Sequence, residues 1–139
     1  MKNTDSLQQA LMESPNLEQF LSENQENFRG GGVSERLNAL FQKCRLSKAS
    51  LAKLSGMSEV YLHQVFSGRR NPSRNRLLCL CLGMGVGLEE TQALLKLSGY
   101  AQLYPKDRRD AIILYGVIHQ MDLFDLNDEL FAKNEETLC

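Results

Sequence analysis

The sequence contains no tryptophan, only three prolines and two histidines, and no apolar run long enough to cross a bilayer. Its longest apolar stretch, 77–88, is too short for a transmembrane helix. The polar residues 1–5 are not followed by the apolar core of a secretory signal. We therefore expect no membrane partner and a location in the cytoplasm.

The side chains that bind metals or act as nucleophiles are few and scattered. None of the four cysteines has C-x-x-C spacing or a histidine pair nearby, so neither a zinc site nor a disulfide framework is expected. The two histidines, His63 and His119, cannot be combined with a nucleophile and an orienting residue at related positions. Residues 83–87 lack the glycine spacing of a dinucleotide-binding loop and fit a turn between helices. The sequence thus predicts no enzyme, no metal site and no cofactor.

Length and hydrophobicity predict a folded, all-α protein. At 139 residues, of which 42% are hydrophobic, the chain is long enough to bury a core. Apolar residues recur at spacings of three and four, and no segment alternates as a strand would. Similar patterns at 88–95 and 123–130, an offset of 35 residues, indicate that one helical unit occurs twice. The expected parts are an N-terminal helical arm with a glycine linker over 1–32, a main domain over 33–99, and a C-terminal helical extension over 100–139.

Charge is unevenly distributed along a chain whose net charge is only −1. Residues 1–32 carry two basic and five acidic side chains, and residues 77–139 carry five basic and ten acidic ones. Residues 33–76, by contrast, carry nine basic side chains and two acidic ones, Glu35 and Glu59. Such a compact cationic segment favours a polyanionic partner, although a merely solvated basic face would give the same count.

The same segment has the start and stop signals of consecutive short helices. The predicted N-caps and helix starts are Ser34, Ser47, Ser58 and Pro72-Ser73. Gly56 and Gly68 are predicted to end helices, Gly56 in the left-handed conformation that only glycine adopts cheaply. Leu51, Ala52 and Leu54 are expected to face inward. The spacing predicts a pair of helices joined by a tight turn.

The residues of this helix pair resemble the lambda-repressor-like (Xre-type) helix-turn-helix family over residues 34–92. The matching elements are Leu51-Ala52, Gly56, Ser58, the Leu62/Val65/Phe66 triplet, Gly68 and Asn71-Pro72-Ser73. The resemblance implies an all-α, lambda-repressor-like five-helix DNA-binding domain, with the arm and the extension outside it. Members of this family are mostly bacterial and phage transcription regulators that bind paired half-sites as dimers. The resemblance therefore implies sequence-specific binding of double-stranded DNA by a homodimer.

The resemblance also implies roles for surface residues. The recognition helix 58–66 would lie in the major groove, with base contacts from Glu59, Val60, His63 and Gln64. The residues expected at the phosphate backbone are Lys48, Ser67, Arg69, Arg70, Arg74 and Arg76. Lys48 stands where many family members carry glutamine, and Glu59 where a neutral polar residue is common. Both departures bear on which bases are read and leave the predicted fold unchanged.

A second hypothesis uses the same fold for protein binding. The acidic C-terminal helices would then contact a protein partner, as in an adaptor, or in an antitoxin that binds both DNA and a partner. The two hypotheses differ in their electrostatics. A DNA binder with about 4–6 phosphate contacts per subunit loses affinity with a log–log salt slope near −4 to −5.

Overall fold

The computed structural model of the protein describes residues 4–23 and 32–139. These residues form nine α-helices and contain no strand, so the predicted all-α fold is confirmed. The helices are α1 Thr4–Glu13, α2 Leu17–Glu23, α3 Val33–Cys44, α4 Lys48–Leu54, α5 Glu59–Phe66, α6 Arg74–Met84, α7 Leu88–Leu97, α8 Arg108–Ile118 and α9 Leu123–Ala132. Gly30 and Gly31 of the predicted linker lie outside the described residues. None of the helices described is both long and apolar enough to span a membrane.

Most helix starts follow from capping side chains. The hydroxyls of Ser47, Ser58 and Ser73 accept hydrogen bonds from backbone N–H groups three residues further on, at the starts of α4, α5 and α6. The carboxylates of Asp107 and Asp122 cap α8 and α9. Each cap satisfies a backbone donor that the helix itself leaves unpaired. The predicted caps at Ser47 and Ser58 are therefore confirmed, and Ser73, predicted with Pro72 to open the next helix, is the N-cap of α6.

The cap predicted at Ser34 is wrong. The N-cap of α3 is Gly32, two residues before Ser34, with a φ of +84°, and the helix begins at Val33. Because Val33 is buried in the core, packing sets the start of this helix. Ser34 consequently lies inside the first turn of α3, where its hydroxyl faces the Glu35 carboxylate at 3.4 Å.

Helices α4 and α6 approach each other through small residues. Ser55, the C-cap residue of α4, is buried facing α6, and Ala52 is also buried, whereas Leu54, predicted to face inward, is 36% exposed. A Cβ added at Gly83 of α6 would lie only 2.3 Å from Ser55 Oγ. Gly83 thus lies within α6 at the helix crossing, and the turn predicted at 83–87 begins only after Met84.

A single hydrophobic core runs through both the main domain and the C-terminal extension. Its fully buried leucine and isoleucine side chains include Leu37, Leu51, Leu62, Leu77, Leu78, Leu94, Leu95, Ile113, Leu126 and Leu130. Burying one such side chain stabilises a fold by about 1.5–3 kcal/mol. Residues on both sides of the predicted boundary at position 99 contribute to this core. The division into 33–99 and 100–139 stays a prediction.

The extension packs behind the turn between α4 and α5. Helix α9 begins and ends 35 residues after α7, which matches the repeat seen in the sequence, while α8 begins and ends 34 residues after α6, one residue short of it. Gly116 lets α8 approach α9, since an added Cβ would lie 2.7 Å from Leu126 Cδ2. A Cβ added at Gly56 would lie 3.5 Å from Leu123 Cδ2 of α9 and 3.1 Å from Cys139 Sγ. The extension is therefore in contact with the element that orients α5.

Candidate nucleic-acid interface

Helix α5 presents one face to the core and the other to solvent. Its buried residues are Leu62, Val65 and Phe66. Its exposed residues are Glu59, Val60 and His63. The Phe66 ring meets the Phe41 ring of α3 edge-on, with 5.2 Å between centroids. One side of the helix is thus fixed by packing while the other is open to a partner.

Both ends of α5 are anchored. Before the helix, Gly56 has a φ of +65°, as predicted, and its N–H donates to the Lys53 carbonyl at 3.3 Å. At the other end of α5, the Asn38 side chain of α3 donates a hydrogen bond to the carbonyl of Phe66, the last residue of the helix, at 2.8 Å. These contacts hold α5 against α3 and α4 in a defined orientation.

The residues predicted to read bases lie together on α5. Val60 is 69% exposed, and Gln64 is half-buried. The Glu59 Oε1 atom lies 3.7 Å from His63 Nε2, one helical turn further on. The surface thus presents a carboxylate, an imidazole, an amide and an apolar group, which are the kinds of groups that contact base edges. Their contact with bases stays a prediction.

The basic turn after α5, residues 67–70, is tied back onto the helix. The backbone N–H groups of Arg69 and Arg70 both donate to the Gln64 carbonyl, at 3.0 and 3.2 Å. The Ser67 hydroxyl donates to the same carbonyl at 3.1 Å. The backbone of this turn is therefore fixed relative to α5, while the side chains of Arg69 and Arg70 are exposed.

Three of the predicted phosphate-binding cations lie over aromatic rings. The Arg76 guanidinium carbon is 4.6 Å from the centroid of the Tyr61 ring, and that of Arg70 is 5.5 Å from the same centroid. Lys48 Nζ lies 5.8 Å from the centroid of the Phe66 ring. These are cation–π distances, at which the face of the ring attracts the positive charge. The cations therefore lie beside α5 in restricted positions.

Arg74 departs from its predicted place at the phosphate backbone. Its Nη1 and Nη2 atoms donate to the two carboxylate oxygens of Asp110 at 3.2 and 3.0 Å, and its Nε donates to the Ala101 carbonyl at 2.9 Å. Asp110 is buried and the Arg74 side chain is only 23% exposed, so this bidentate pair joins α6 to α8. Its partner lies 36 residues away, which no local pattern indicates. We therefore assign Arg74 a structural role and leave it out of the candidate interface.

Further bonds brace the segment between α5 and α6 and the first turn of α6. The Tyr100 hydroxyl donates to the Pro72 carbonyl at 2.6 Å. The Arg109 Nη2 atom of α8 donates to the Asn75 side-chain oxygen at 3.1 Å. The segment that follows the basic turn is thus held by residues beyond position 99, which places part of the support for the interface in the extension.

The charge of Arg36, another basic residue of the cationic segment, is balanced within the protein. Its guanidinium hydrogen-bonds both carboxylate oxygens of Glu90 in α7. This hydrogen bond lowers the pKa of Glu90 and raises the pKa of Arg36. Arg36 and Arg74 both pair with acids on other helices, so the cations beside α5 supply the free positive charge of the interface.

The thiols of Cys79 and Cys81 are buried and are not available as nucleophiles at this surface. Burial raises the pKa of Cys79 and of Cys81 to about 12, so both remain protonated near neutral pH. Within residues 4–23 and 32–139, no three histidine, cysteine, aspartate or glutamate side chains are grouped to hold a metal ion.

The helices around α5 correspond to a known kind of domain. Residues 33–94 match the family model of a helix-turn-helix domain. These residues are a helix-turn-helix domain. The match extends from α3 into α7 and confirms the resemblance drawn from the sequence. Because helix-turn-helix domains place their second helix in the major groove, the match indicates DNA binding. No curated protein and no solved structure matches the chain.

Two features of the helix-turn-helix surface were missed from the sequence. Hydrophobic periodicity places Tyr61 at the edge of the inward face of α5 but does not indicate its contacts with Arg70 and Arg76. Lys53 was not among the predicted site residues, yet it lines a cleft together with Tyr61 and Arg76. A tyrosine followed by a basic turn nine residues later is a signal too common to have identified this arrangement.

Proposed function

We propose that the protein binds double-stranded DNA sequence-specifically and acts as a cytoplasmic transcription regulator of bacterial or phage type. The observation that carries this proposal is α5, whose buried face is locked into the core while its exposed face is bordered by cations. The helix-turn-helix match supports DNA binding, and the family resemblance supports the regulatory role.

In the proposed complex α5 lies in the major groove. The Gln64 amide can pair with adenine, the Glu59 carboxylate can accept from cytosine N4, and Val60 can contact a thymine methyl group. The Glu59 carboxylate lies 3.7 Å from the His63 imidazole on the same exposed face of the helix. A negative charge at this position repels phosphate, so Glu59 weakens non-specific binding in which α5 contacts only the DNA backbone.

The cations flanking α5 provide the contacts to the DNA backbone. Lys48, Arg69, Arg70 and Arg76 are the residues we assign to phosphates, with Ser67 as a neutral donor in the basic turn. Four such contacts predict a log–log salt slope of about −3 to −4 per subunit. This slope is shallower than the sequence alone implies, because Arg74 pairs with Asp110.

We also propose a homodimer, because domains of this kind read half-sites in pairs. The two α5 helices would then lie about 34–36 Å apart, one turn of DNA. Exposed apolar side chains are available for the contact both on the arm and on the extension. They include Leu11, Met12, Leu17 and Leu21 on the arm, and Ile118 and Phe131 on the extension.

Two substitutions test the proposed roles on a duplex selected from a random library. Arg70→Ala should weaken binding to every duplex and make the salt slope shallower by about one, since it removes one phosphate contact. Gln64→Ala should reduce the preference for the selected duplex by about 5–150-fold, corresponding to about 1–3 kcal/mol for a base contact. Fluorescence anisotropy at several salt concentrations measures both quantities.

Lys96→Ala is the matched control, since Lys96 is an exposed cation in the last turn of α7 and outside the interface. It should leave affinity and salt slope close to those of the wild type. Unchanged binding by Arg70→Ala would show that the phosphate assignment is wrong. A Gln64→Ala variant that keeps the full sequence preference would show that α5 is not the reading helix.

The surface of α9 favours a second function, binding of a protein partner as an adaptor or antitoxin. Phe131 is 77% exposed and Phe124 is also exposed, close in sequence to the exposed acids Asp125 and Asp128. An adaptor without a DNA-binding role would show no salt-dependent binding to any duplex. An antitoxin would bind DNA through α5 and a partner protein through α9, so Phe131→Ala would weaken binding of the partner, and it would weaken DNA binding as well only where the homodimer forms through the extension.

A further inference from the structure

Two cations from different elements share one aromatic ring. Arg70 lies in the basic turn after α5, and Arg76 lies in the first turn of α6. Their guanidinium carbons are 5.5 and 4.6 Å from the centroid of the Tyr61 ring, so the two carbons can be no more than about 10 Å apart. Without the ring, two like charges on long side chains would favour larger separations and more conformations.

The backbones that carry these three side chains are fixed independently of DNA. Tyr61 is half-buried in the first turn of α5 and packs against the core. The Arg70 N–H donates to the Gln64 carbonyl at 3.2 Å, and the Arg76 N–H donates to Ser73 Oγ at 3.2 Å. The remaining freedom lies in the arginine side chains, and the ring is what restricts it.

A cationic cleft adjoins the ring. It has a volume of about 530 Å³ and runs along the turn between α4 and α5. Its polar lining comes from Lys53, Ser58, Tyr61 and Arg76. Lys53 is exposed, so the cleft combines a lysine with an arginine held on the ring, beside the base-reading face of α5.

We propose that Tyr61 is a positioning residue, which holds Arg70 and Arg76 toward one stretch of DNA backbone at the edge of this cleft. The inference rests on the proposed DNA binding. Arginines already restricted by the ring lose less conformational entropy when they bind phosphate. Phosphates on one strand follow each other at about 3.4 Å of helix axis, so two groups within about 10 Å can contact neighbouring phosphates.

The first test needs no DNA. In the full-length chain, the side-chain resonances of Arg70 and Arg76 should be shifted by the ring current of residue 61. Tyr61→Phe should keep these shifts and Tyr61→Leu should lose both, while Tyr104→Leu, which removes an exposed tyrosine of the loop before α8, should change neither. Unchanged arginine resonances in Tyr61→Leu would show that the ring does not hold these side chains and would overturn the inference.

The second test measures duplex affinity. Tyr61→Leu should weaken binding about tenfold, and Tyr61→Phe less than about twofold. In a background carrying Arg70→Ala and Arg76→Ala, Tyr61→Leu should cause no further loss, because its effect acts through these side chains. An equal loss in both backgrounds would indicate a general structural role and overturn the inference.

The two proposals fail differently. Wild-type protein that binds no duplex would overturn the proposed function and, with it, the role of Tyr61 in DNA binding. Wild-type protein that binds tightly, with Tyr61→Leu binding equally well, would overturn only the role of Tyr61. Melting temperatures of the Tyr61 variants, measured alongside, should stay close to that of Tyr104→Leu.

Discussion

Replacing Arg74 by alanine removes the bidentate pair that joins α6 to α8. The guanidinium donates to the carboxylate oxygens of Asp110 at 3.0 and 3.2 Å and to the Ala101 carbonyl at 2.9 Å. After the substitution, the buried Asp110 carboxylate keeps the Tyr104 N–H at 3.0 Å but loses the cation that balances its charge. Breaking a buried ion pair costs about 3–5 kcal/mol. Because Arg74 retains some exposure to water, we expect about 3 kcal/mol.

Thermal unfolding, followed by helical circular dichroism, measures this loss. An unfolding entropy of about 2.1 cal/mol/K per residue corresponds to about 0.3 kcal/mol/K for a chain of 139 residues. Arg74→Ala should therefore lower the melting temperature by about 10 °C, whereas Arg70→Ala, at an exposed position, should stay within about 2 °C of the wild type. If Arg74→Ala melts like the wild type and loses DNA affinity as Arg70→Ala does, Arg74 binds phosphate and the structural role is refuted.

Two further predictions concern the interior of the protein. Gly116→Ala should destabilise the fold by about 1–2 kcal/mol, because the steric overlap of the new methyl group with Leu126 costs more free energy than alanine gains over glycine within a helix. An unchanged urea midpoint of unfolding would contradict the close packing of α8 on α9. Cys79 and Cys81 should resist alkylation by N-ethylmaleimide at pH 8 until denaturant is added, since burial raises the pKa of each to about 12. Mass spectrometry of the labelled native chain checks this, and labelling of Cys81 as fast in the native chain as in the denatured chain would contradict its burial.

The parts of the fold that depend on nearby residues were predictable from the sequence. The caps at Ser47, Ser58 and Ser73 each involve a donor three residues away, so a local pattern contains both partners. The left-handed turn at Gly56 is equally local. Ser34 shows the limit of this reasoning, because the burial of Val33 by distant side chains moved the start of α3.

The parts of the interface that depend on distant partners were not predictable. Arg74 has the sequence context of a phosphate-binding residue, but its partner Asp110 lies 36 positions away in α8. The anchor from Asn38 to Phe66 spans 28 positions. The contacts of Tyr61 depend on how the basic turn folds back over α5, which hydrophobic periodicity does not specify. Sequence patterns therefore proposed the surface, and tertiary contacts show that Arg74 is paired within the protein.

The affinity of the wild-type chain for a selected duplex, relative to a random duplex at the same salt concentration, tests the proposed function most directly. A regulator that reads bases through α5 should bind the selected duplex about 10³-fold or more tightly, with the enriched sequence arranged as paired half-sites. Equal affinity for both duplexes, or no affinity for either, would contradict sequence-specific DNA binding by this protein.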